Sequence, residues 1–197
     1  MKRLTLALTT LACAALAGCV TPVGPVQVTR FHAADVSQLG KGAIAVEPAP
    51  GSDGNSLEWQ SYRAAVMRQL VLLGYRDASP GTGAQVAYLK LSRSTLEPQR
   101  SGGPVSVGVG GSTGTYGSGV GLGIGLNLSP KPAAQIATDL AVAIKDRASA
   151  ITLWEGRASF TVSSKSPLAA TALGAPKMSE ALFQGFPGTS GATIEVK

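Results

Sequence analysis

Residue types that support catalysis are scarce in this chain. His32 is the only histidine, and Cys13 and Cys19 are the only cysteines. A Ser-His-Asp triad would need His32, the one available histidine, as its base. One histidine with two cysteines falls short of the four ligands of a usual zinc site. We therefore predict a protein that is not an enzyme, without catalytic residue, metal or cofactor, and keep a hydrolase using His32 as an unfavoured alternative.

Carboxylate pairs are the other source of acid–base chemistry. Asp139 and Asp146 lie seven residues apart, near the end of a predicted strand and in the turn that follows it. This position favours two solvated surface carboxylates over a catalytic pair.

A glycine-rich segment, Gly102 to Gly125, contains 11 glycines in 24 positions. A dinucleotide-binding fingerprint requires G-x-G-x-x-G. Counting from Gly117 or from Gly121, the third glycine is replaced by leucine. A phosphate-binding P-loop requires Gly-Lys-Ser/Thr, but the nearest lysine, Lys131, lies between two prolines. The segment therefore matches neither phosphate-binding motif.

The same segment is better suited to a β-hairpin than to a helix. Each glycine costs a helix about 1 kcal/mol relative to alanine, and no charged residue occurs between Arg100 and Lys131. We predict a hairpin over residues 102–128. Glycines alternate along its second strand, and a bare glycine face permits close approach of another backbone. The candidate partner surface consists of Gly117, Gly119, Gly121, Gly123 and Gly125.

The N-terminus has the features of a secretory signal. Two basic residues precede Leu4–Leu16, an uncharged stretch of 13 residues. This is the length of a signal-peptide core and is shorter than the roughly 20 residues that span a bilayer. The sequence "LAGC" then places the small residues Ala17 and Gly18 directly before Cys19.

The LAGC sequence resembles a bacterial lipobox. The resemblance implies cleavage between Gly18 and Cys19, with acylation of the Cys19 thiol and of the new amine. Two or three acyl chains anchor a protein essentially irreversibly, because each buried CH₂ contributes roughly 0.8 kcal/mol. Val20 follows the cysteine, where an aspartate would commonly signal retention in the inner membrane. We therefore predict a lipid-anchored protein of the outer membrane, facing the periplasm.

These features define the expected organisation of the chain. Residues 1–18 form the signal peptide, 19–27 a lipidated tether, and 28–197 a single domain. Without Lys2 and Arg3 the chain has 15 basic and 11 acidic residues, a net charge of +4, and no run of four basic residues. This distribution does not support nucleic-acid binding. The expected partners are membrane lipid, through Cys19, and an envelope protein or a second copy of the chain.

Segments in which apolar and polar residues alternate, or which are rich in residues that favour strands, predict most of the strands. They are Val26–Phe31, Gly42–Pro48, Ala84–Ser92, the two hairpin strands, 133–146, Ala150–Ser164 and the closing segment Ala192–Val196. The alanines of 133–146 suit a helix, but period 2 over Thr138–Lys145 favours a strand. Ile136, Leu140, Val142 and Ile144 would share its apolar face.

Two helices are predicted. The first has Asn55 as N-cap and Glu58 in a capping box, and Gly74 ends it, with Tyr75 as the following hydrophobic contact. Its apolar stripe is Trp59, Tyr62, Val66, Leu70 and Leu73.

The second helix is expected in pieces. Ser166 caps a short helical piece that starts at Pro167. Pro176 interrupts it, and a second piece follows over 176–186. Met178, Leu182 and Phe183 of that piece would face the core. The order of elements predicts an α+β fold, a mostly antiparallel sheet with two helices on one face and a glycine-rich β-hairpin.

Several segments together resemble a proteobacterial lipoprotein family that carries a domain of unknown function, the family numbered 4136. They are residues 28–51, 56–75, the glycine-rich hairpin, 153–158 and 180–196. The resemblance covers nearly all of the mature chain and implies an envelope lipoprotein with an α+β domain. The family's motifs are structural, so no catalytic residue is carried over. Two functions remain open: a non-enzymatic binding or scaffolding component of the envelope, and a subunit of an oligomeric membrane pore or remodelling assembly.

Overall fold

The computed structural model describes residues 23–98, 105–114, 117–126 and 133–197. The predicted signal peptide, Gly18, Cys19 and the first part of the tether lie outside these ranges. Within them, no helix combines the length and the apolar character needed to cross a bilayer.

Nine strands and two α-helices are present in these ranges. In chain order they are β1 Val26–His32, β2 Ala43–Pro48, α1 Leu57–Leu72, β3 Arg76–Asp77, β4 Gln85–Leu96, β5 Val105–Gly114, β6 Gly117–Leu126, β7 Gln135–Asp146, β8 Thr152–Ser163, α2 Thr171–Phe183 and β9 Thr193–Val196. Strand β1 already includes Val26 and Gln27, the last two residues of the predicted tether, and Val26 is fully buried.

Seven strands form the main sheet, in the order β3-β2-β4-β7-β8-β1-β9. Strand β2 runs parallel to β3 and β4, and the other pairs are antiparallel. A parallel pair needs a long crossover, and α1 lies in the connection between β2 and β4. The expected α+β class and mostly antiparallel sheet are confirmed.

One face of the main sheet is buried beneath the helices. Alternate residues of β8 from Trp154 to Val162 are buried, and their neighbours face outward. Strand β7 shows the same period 2, with Leu140, Val142 and Ile144 buried. The strand assignment of this alanine-rich segment is thereby confirmed, because its apolar residues occur at every second position rather than at helical spacing.

Helix α1 packs through the predicted stripe, but its start differs from the prediction. Trp59, Tyr62, Val66 and Leu70 are buried, and Leu73 packs against the core. The N-cap is Ser56, not Asn55, because the Ser56 hydroxyl accepts a hydrogen bond from the Trp59 amide. The capping box is therefore absent. Glu58 instead forms an ion pair with Arg93 of β4.

The end of α1 has the predicted form. Gly74 adopts a φ of +103°, and its amide donates to the carbonyl of Val71. The Tyr75 amide donates to Leu70, and the Tyr75 side chain is buried. This pair of hydrogen bonds is the Schellman motif that glycine makes accessible.

Helix α2 is continuous through Pro176, contrary to the predicted interruption. Ser166 does cap a short 3₁₀ turn over Pro167–Ala169, as expected. Pro176 lies in the second turn of α2 and removes one intrahelical hydrogen bond, the one to the carbonyl of Ala172. Burial on both sides of the proline offsets this loss, because Ala175 and Met178 are almost completely buried.

A tight aromatic cluster joins α2 to the sheet. The rings of Trp154 and Phe183 are stacked with centroids 5.2 Å apart, and Phe186 contacts both. The indole N–H of Trp154 donates to the carbonyl of Pro187 at 2.9 Å. Gly156 lies beneath this cluster, where a side chain would collide with Trp154 and Leu182. The expected core positions of Leu182 and Phe183 are confirmed.

Candidate functional site

The residues considered for catalysis are not brought together. The His32 ring donates through Nδ1 to the carbonyl of Ala33 at 2.7 Å. Asp139 accepts a hydrogen bond from Ser159 at 2.6 Å. Asp146 accepts from the backbone and side chain of Ser149, and these hydrogen bonds lower the pKa of its carboxyl. Seven residues of strand separate the two aspartates by roughly 23 Å.

Metal ligands do not cluster in the described part of the chain either. No group of three His, Cys, Asp or Glu side chains within it has an arrangement that would hold an ion.

The glycine-rich strands β5 and β6 pair with each other antiparallel, from Val105 opposite Leu126 to Gly114 opposite Gly117. Strands β4 and β7 pair up to Leu96 opposite Gln135. The ribbon of β5 and β6 therefore belongs to the connection between two neighbouring strands of the main sheet. The remaining residues of the predicted hairpin, 102–104, 115–116 and 127–128, lie outside the described ranges.

The register determines which residues of the ribbon share a face. Successive strand residues alternate between the faces of a sheet, so the five candidate glycines of β6 are on one face. Their partners on β5 are Gly114, Ser112, Gly110, Gly108 and Ser106. This face consists of glycine and serine only. Val120, Leu122, Ile124 and Leu126 are on the other face.

A recess of about 390 Å³ lies on the open face of the main sheet, the face opposite the helices. Its floor comes from adjacent strands: Val86, Tyr88 and Lys90 alternate along β4, and Ala141, Ala143 and Lys145 alternate along β7. Tyr88 is opposite Ala143, and Lys90 is opposite Ala141. The small alanines beside the long side chains produce the depression. Its volume lies within the roughly 300–1,000 Å³ of ligand pockets.

Two lysines give this open-face recess a positive bias. The Lys145 ammonium lies 6.0 Å from the centroid of the Tyr88 ring, at the limit of a cation–π contact. Across the residues that the structure describes, neither Lys90 nor Lys145 forms an ion pair. Two carboxylates also line the recess: Glu155 is paired with Arg157, and Asp146 accepts hydrogen bonds from Ser149. An apolar floor with two free ammonium groups is suited to a group that combines apolar surface with negative charge.

Arg147, which lines the recess, forms an ion pair with Glu47 of β2. Arg147, in the turn after β7, donates to Glu47 Oε1 at 2.7 Å and to the carbonyls of Thr82 and Gly83. Burial raises the pKa of the Glu47 carboxyl, but hydrogen bonds from the Gly81 amide and from Arg147 outweigh it. The pKa of the Glu47 carboxyl is therefore lowered overall. The turn is thereby fixed to strand β2 and to the loop between β3 and β4.

Sequence reasoning did not single out Tyr88, Lys90 or Lys145. The alternation in 84–92 did predict that Tyr88 and Lys90 share a face. The sequence did not show which strand lies beside β4, because a period-2 pattern does not specify which strands pair. Only the β4–β7 register brings Lys145 to the same recess.

Comparisons with known proteins show distant similarity of structure only. A scan against protein-family models and a search of curated proteins found no match. The chain is similar to a PDZ domain protein from Parabacteroides distasonis, with a TM-score of 0.49 and 9 % identity over 88 % of this chain and 39 % of that one. It is also similar to a PelC dodecamer from Paraburkholderia phytofirmans, with a TM-score of 0.43 and 12 % identity over 79 % of this chain and 95 % of that one. The chain spans about two fifths of the PDZ domain protein, and at these scores the likeness carries no conclusion about function.

Proposed function

We propose that this protein is an outer-membrane lipoprotein, anchored through acylated Cys19 and facing the periplasm. It acts without catalysis as a binding or scaffolding component of the cell envelope. The anchoring part of the proposal rests on Leu16–Cys19, where small residues precede a cysteine at the end of a signal-length apolar stretch. The family resemblance supports the same assignment.

The binding part of the proposal rests on the open-face recess. Its lining combines Tyr88 and alanines with the ammonium groups of Lys90 and Lys145. Pockets that bind ligands are mostly apolar with a few placed polar groups. The bound group is therefore expected to carry an apolar body and a negative charge.

Photo-crosslinking in intact envelopes tests this binding surface. A photoreactive phenylalanine analogue replaces Tyr88, and in a control it replaces Thr161, an exposed residue of β8 outside the recess. We expect an adduct from position 88 that is absent from position 161. The adduct should be lost when Lys90→Glu and Lys145→Glu are added. Identical adducts from both positions, or an adduct that survives both charge reversals, would contradict the proposal.

A second candidate function is a subunit of an oligomeric pore or membrane-remodelling assembly that uses the glycine-rich hairpin. The register of β5 and β6 favours it, because one face is glycine and serine while the other carries Val, Leu and Ile. No charged residue occurs between Arg100 and Lys131.

Lysine substitutions discriminate between the two functions. Leu122→Lys or Ile124→Lys places a charge on the apolar face of the ribbon, which costs roughly 2–4 kcal/mol at a bilayer midplane. If the hairpin enters membranes, leakage from liposomes should fall in these variants and persist in the control Leu96→Lys, at an exposed position of β4. Absence of leakage by the unmodified protein would remove this candidate.

A further inference from the structure

A second cavity, of about 670 Å³, lies on the opposite side of the domain from the open-face recess. It lies beside strands β1 and β9, next to the loop that follows α2. The residues of interest in its lining are Arg30 on β1 and Gln184, Gly188 and Thr189 in the loop.

Arg30 is a buried cation in this cavity. Only 5 % of its surface is exposed. Nε donates to the carbonyl of Leu182 and Nη2 to that of Ala181, both at 2.9 Å. These carbonyls belong to the C-terminal end of α2, where the helix dipole contributes about half a negative charge. The dipole offsets only part of the arginine's charge.

The remaining donors of Arg30 lack an acidic partner. A guanidinium has five N–H groups, and two are used by the α2 carbonyls. Among the described residues, no carboxylate lies within salt-bridge distance of Arg30. Glu195 also lines the cavity, but it lies opposite the exposed Gln27 in the β1–β9 register and forms no ion pair with Arg30. Burial lowers the pKa of the guanidinium, yet an arginine remains charged at neutral pH.

Gly188 shapes the approach to the guanidinium. Its φ is +84°, a conformation that favours glycine. A Cβ at this position would lie 3.0 Å from Arg30 Nη1. A side chain at position 188 would therefore crowd the guanidinium at Nη1, and glycine avoids this contact. The exposed side chains of Gln184 and Thr189 add amide and hydroxyl donors at its rim.

We infer that this cavity binds a compact anionic group, a phosphate or a carboxylate, through the guanidinium of Arg30 with Gln184 and Thr189 at the rim. A planar guanidinium with free N–H groups binds such oxygens with charge-assisted hydrogen bonds. The anion also supplies the negative charge that buried arginines require.

Calorimetric titration of the full-length protein in detergent tests the site. Inorganic phosphate and acetate are the two probes, each at constant pH and ionic strength with chloride as the balancing ion. We expect saturable binding of at least one probe, and about tenfold weaker binding in Arg30→Met, the loss typical of a hydrogen bond to a charged group. Arg68→Met removes an exposed arginine of α1 and should leave the Kd unchanged. Phosphate selectivity would indicate a phosphorylated ligand, and acetate selectivity a carboxylate ligand.

A second pair of variants covers the case in which Arg30→Met fails to fold, since it leaves two carbonyls of α2 without a donor. Gln184→Leu and Thr189→Val change exposed rim residues and keep Arg30. Their combination should weaken binding several-fold. The inference is overturned if neither probe binds the unmodified protein, if folded Arg30→Met binds as the unmodified protein does, or if the rim double variant keeps the original Kd.

Discussion

Among the glycines whose surroundings the structure describes, Gly156 is the one where an added Cβ would come closest to its neighbours. It lies two positions after Trp154 on the same buried face of β8. An added Cβ would collide with the Trp154 ring and would lie 2.8 Å from Leu182 Cδ1. The indole is fixed on its other side by stacking on Phe183 and by its hydrogen bond to Pro187. The ring therefore cannot move aside without disturbing α2.

We predict that Gly156→Ala lowers the free energy of unfolding by roughly 1–3 kcal/mol, the usual cost of overpacking a core. Urea denaturation followed by tryptophan fluorescence measures it. Gly24→Ala is the matched control, because no atom lies within 4 Å of a Cβ at that position. Equal stability of the two variants would show that the cluster is less tightly packed than described.

The N-cap of α1 gives a second test at this scale. Ser56→Ala should cost about 1 kcal/mol, because its hydroxyl satisfies an amide of the first helical turn. Asn55→Ala should cost only a few tenths, since Asn55 precedes the cap. The comparison of their urea midpoints distinguishes the two assignments. A larger loss at Asn55 would restore the capping box that the sequence suggested.

Among the elements, the turn between β7 and β8 is attached to strand β2 by the Glu47–Arg147 ion pair. Both side chains are largely shielded, with 17 % of Glu47 and 27 % of Arg147 exposed. The folded state lowers the pKa of Glu47 from its ordinary value of 4.5. Its ionised form therefore stabilises the fold above about pH 4.5. This contribution is lost as the pH falls through the lowered value.

We predict that Glu47→Gln destabilises the protein at pH 7 and that its deficit relative to the unmodified protein shrinks as the pH falls below about 4.5. Arg147→Gln should diminish the same pH dependence, because it removes the partner of the carboxylate. Free energies of unfolding from pH 7 to pH 3 provide the measurement. A deficit that stays constant over this range would contradict the assigned role of the pair.

The strands and helices were largely predictable from sequence wherever apolar residues recur at a regular spacing. Period 2 identified β7 as a strand despite its alanines, and the stripe from Trp59 to Leu70 identified α1. Helix α2 was harder, because Pro176 signals a break locally while burial of Ala175 and Met178 keeps the helix intact. Local propensity is overridden there by tertiary packing.

At the scale of the whole molecule, the pairing of distant strands could not be predicted from the sequence. Strand β2 lies parallel to β4, and β1 lies between β8 and β9. These neighbours are far apart in the chain, and alternation alone does not choose between them. Both cavities depend on such pairings: β4–β7 forms the open-face recess, and β1–β9 forms the Arg30 cavity. The α+β class and the central core residues needed only local patterns.

For the molecule as a whole, we propose membrane anchoring through acylated Cys19. The most direct test is sedimentation of cell envelopes on a sucrose gradient, comparing the unmodified chain with Cys19→Ala. We predict that the unmodified protein sediments with the outer-membrane fraction, and that Cys19→Ala appears as unprocessed precursor or as soluble protein. Unchanged sedimentation of Cys19→Ala with the outer membrane would contradict lipid anchoring.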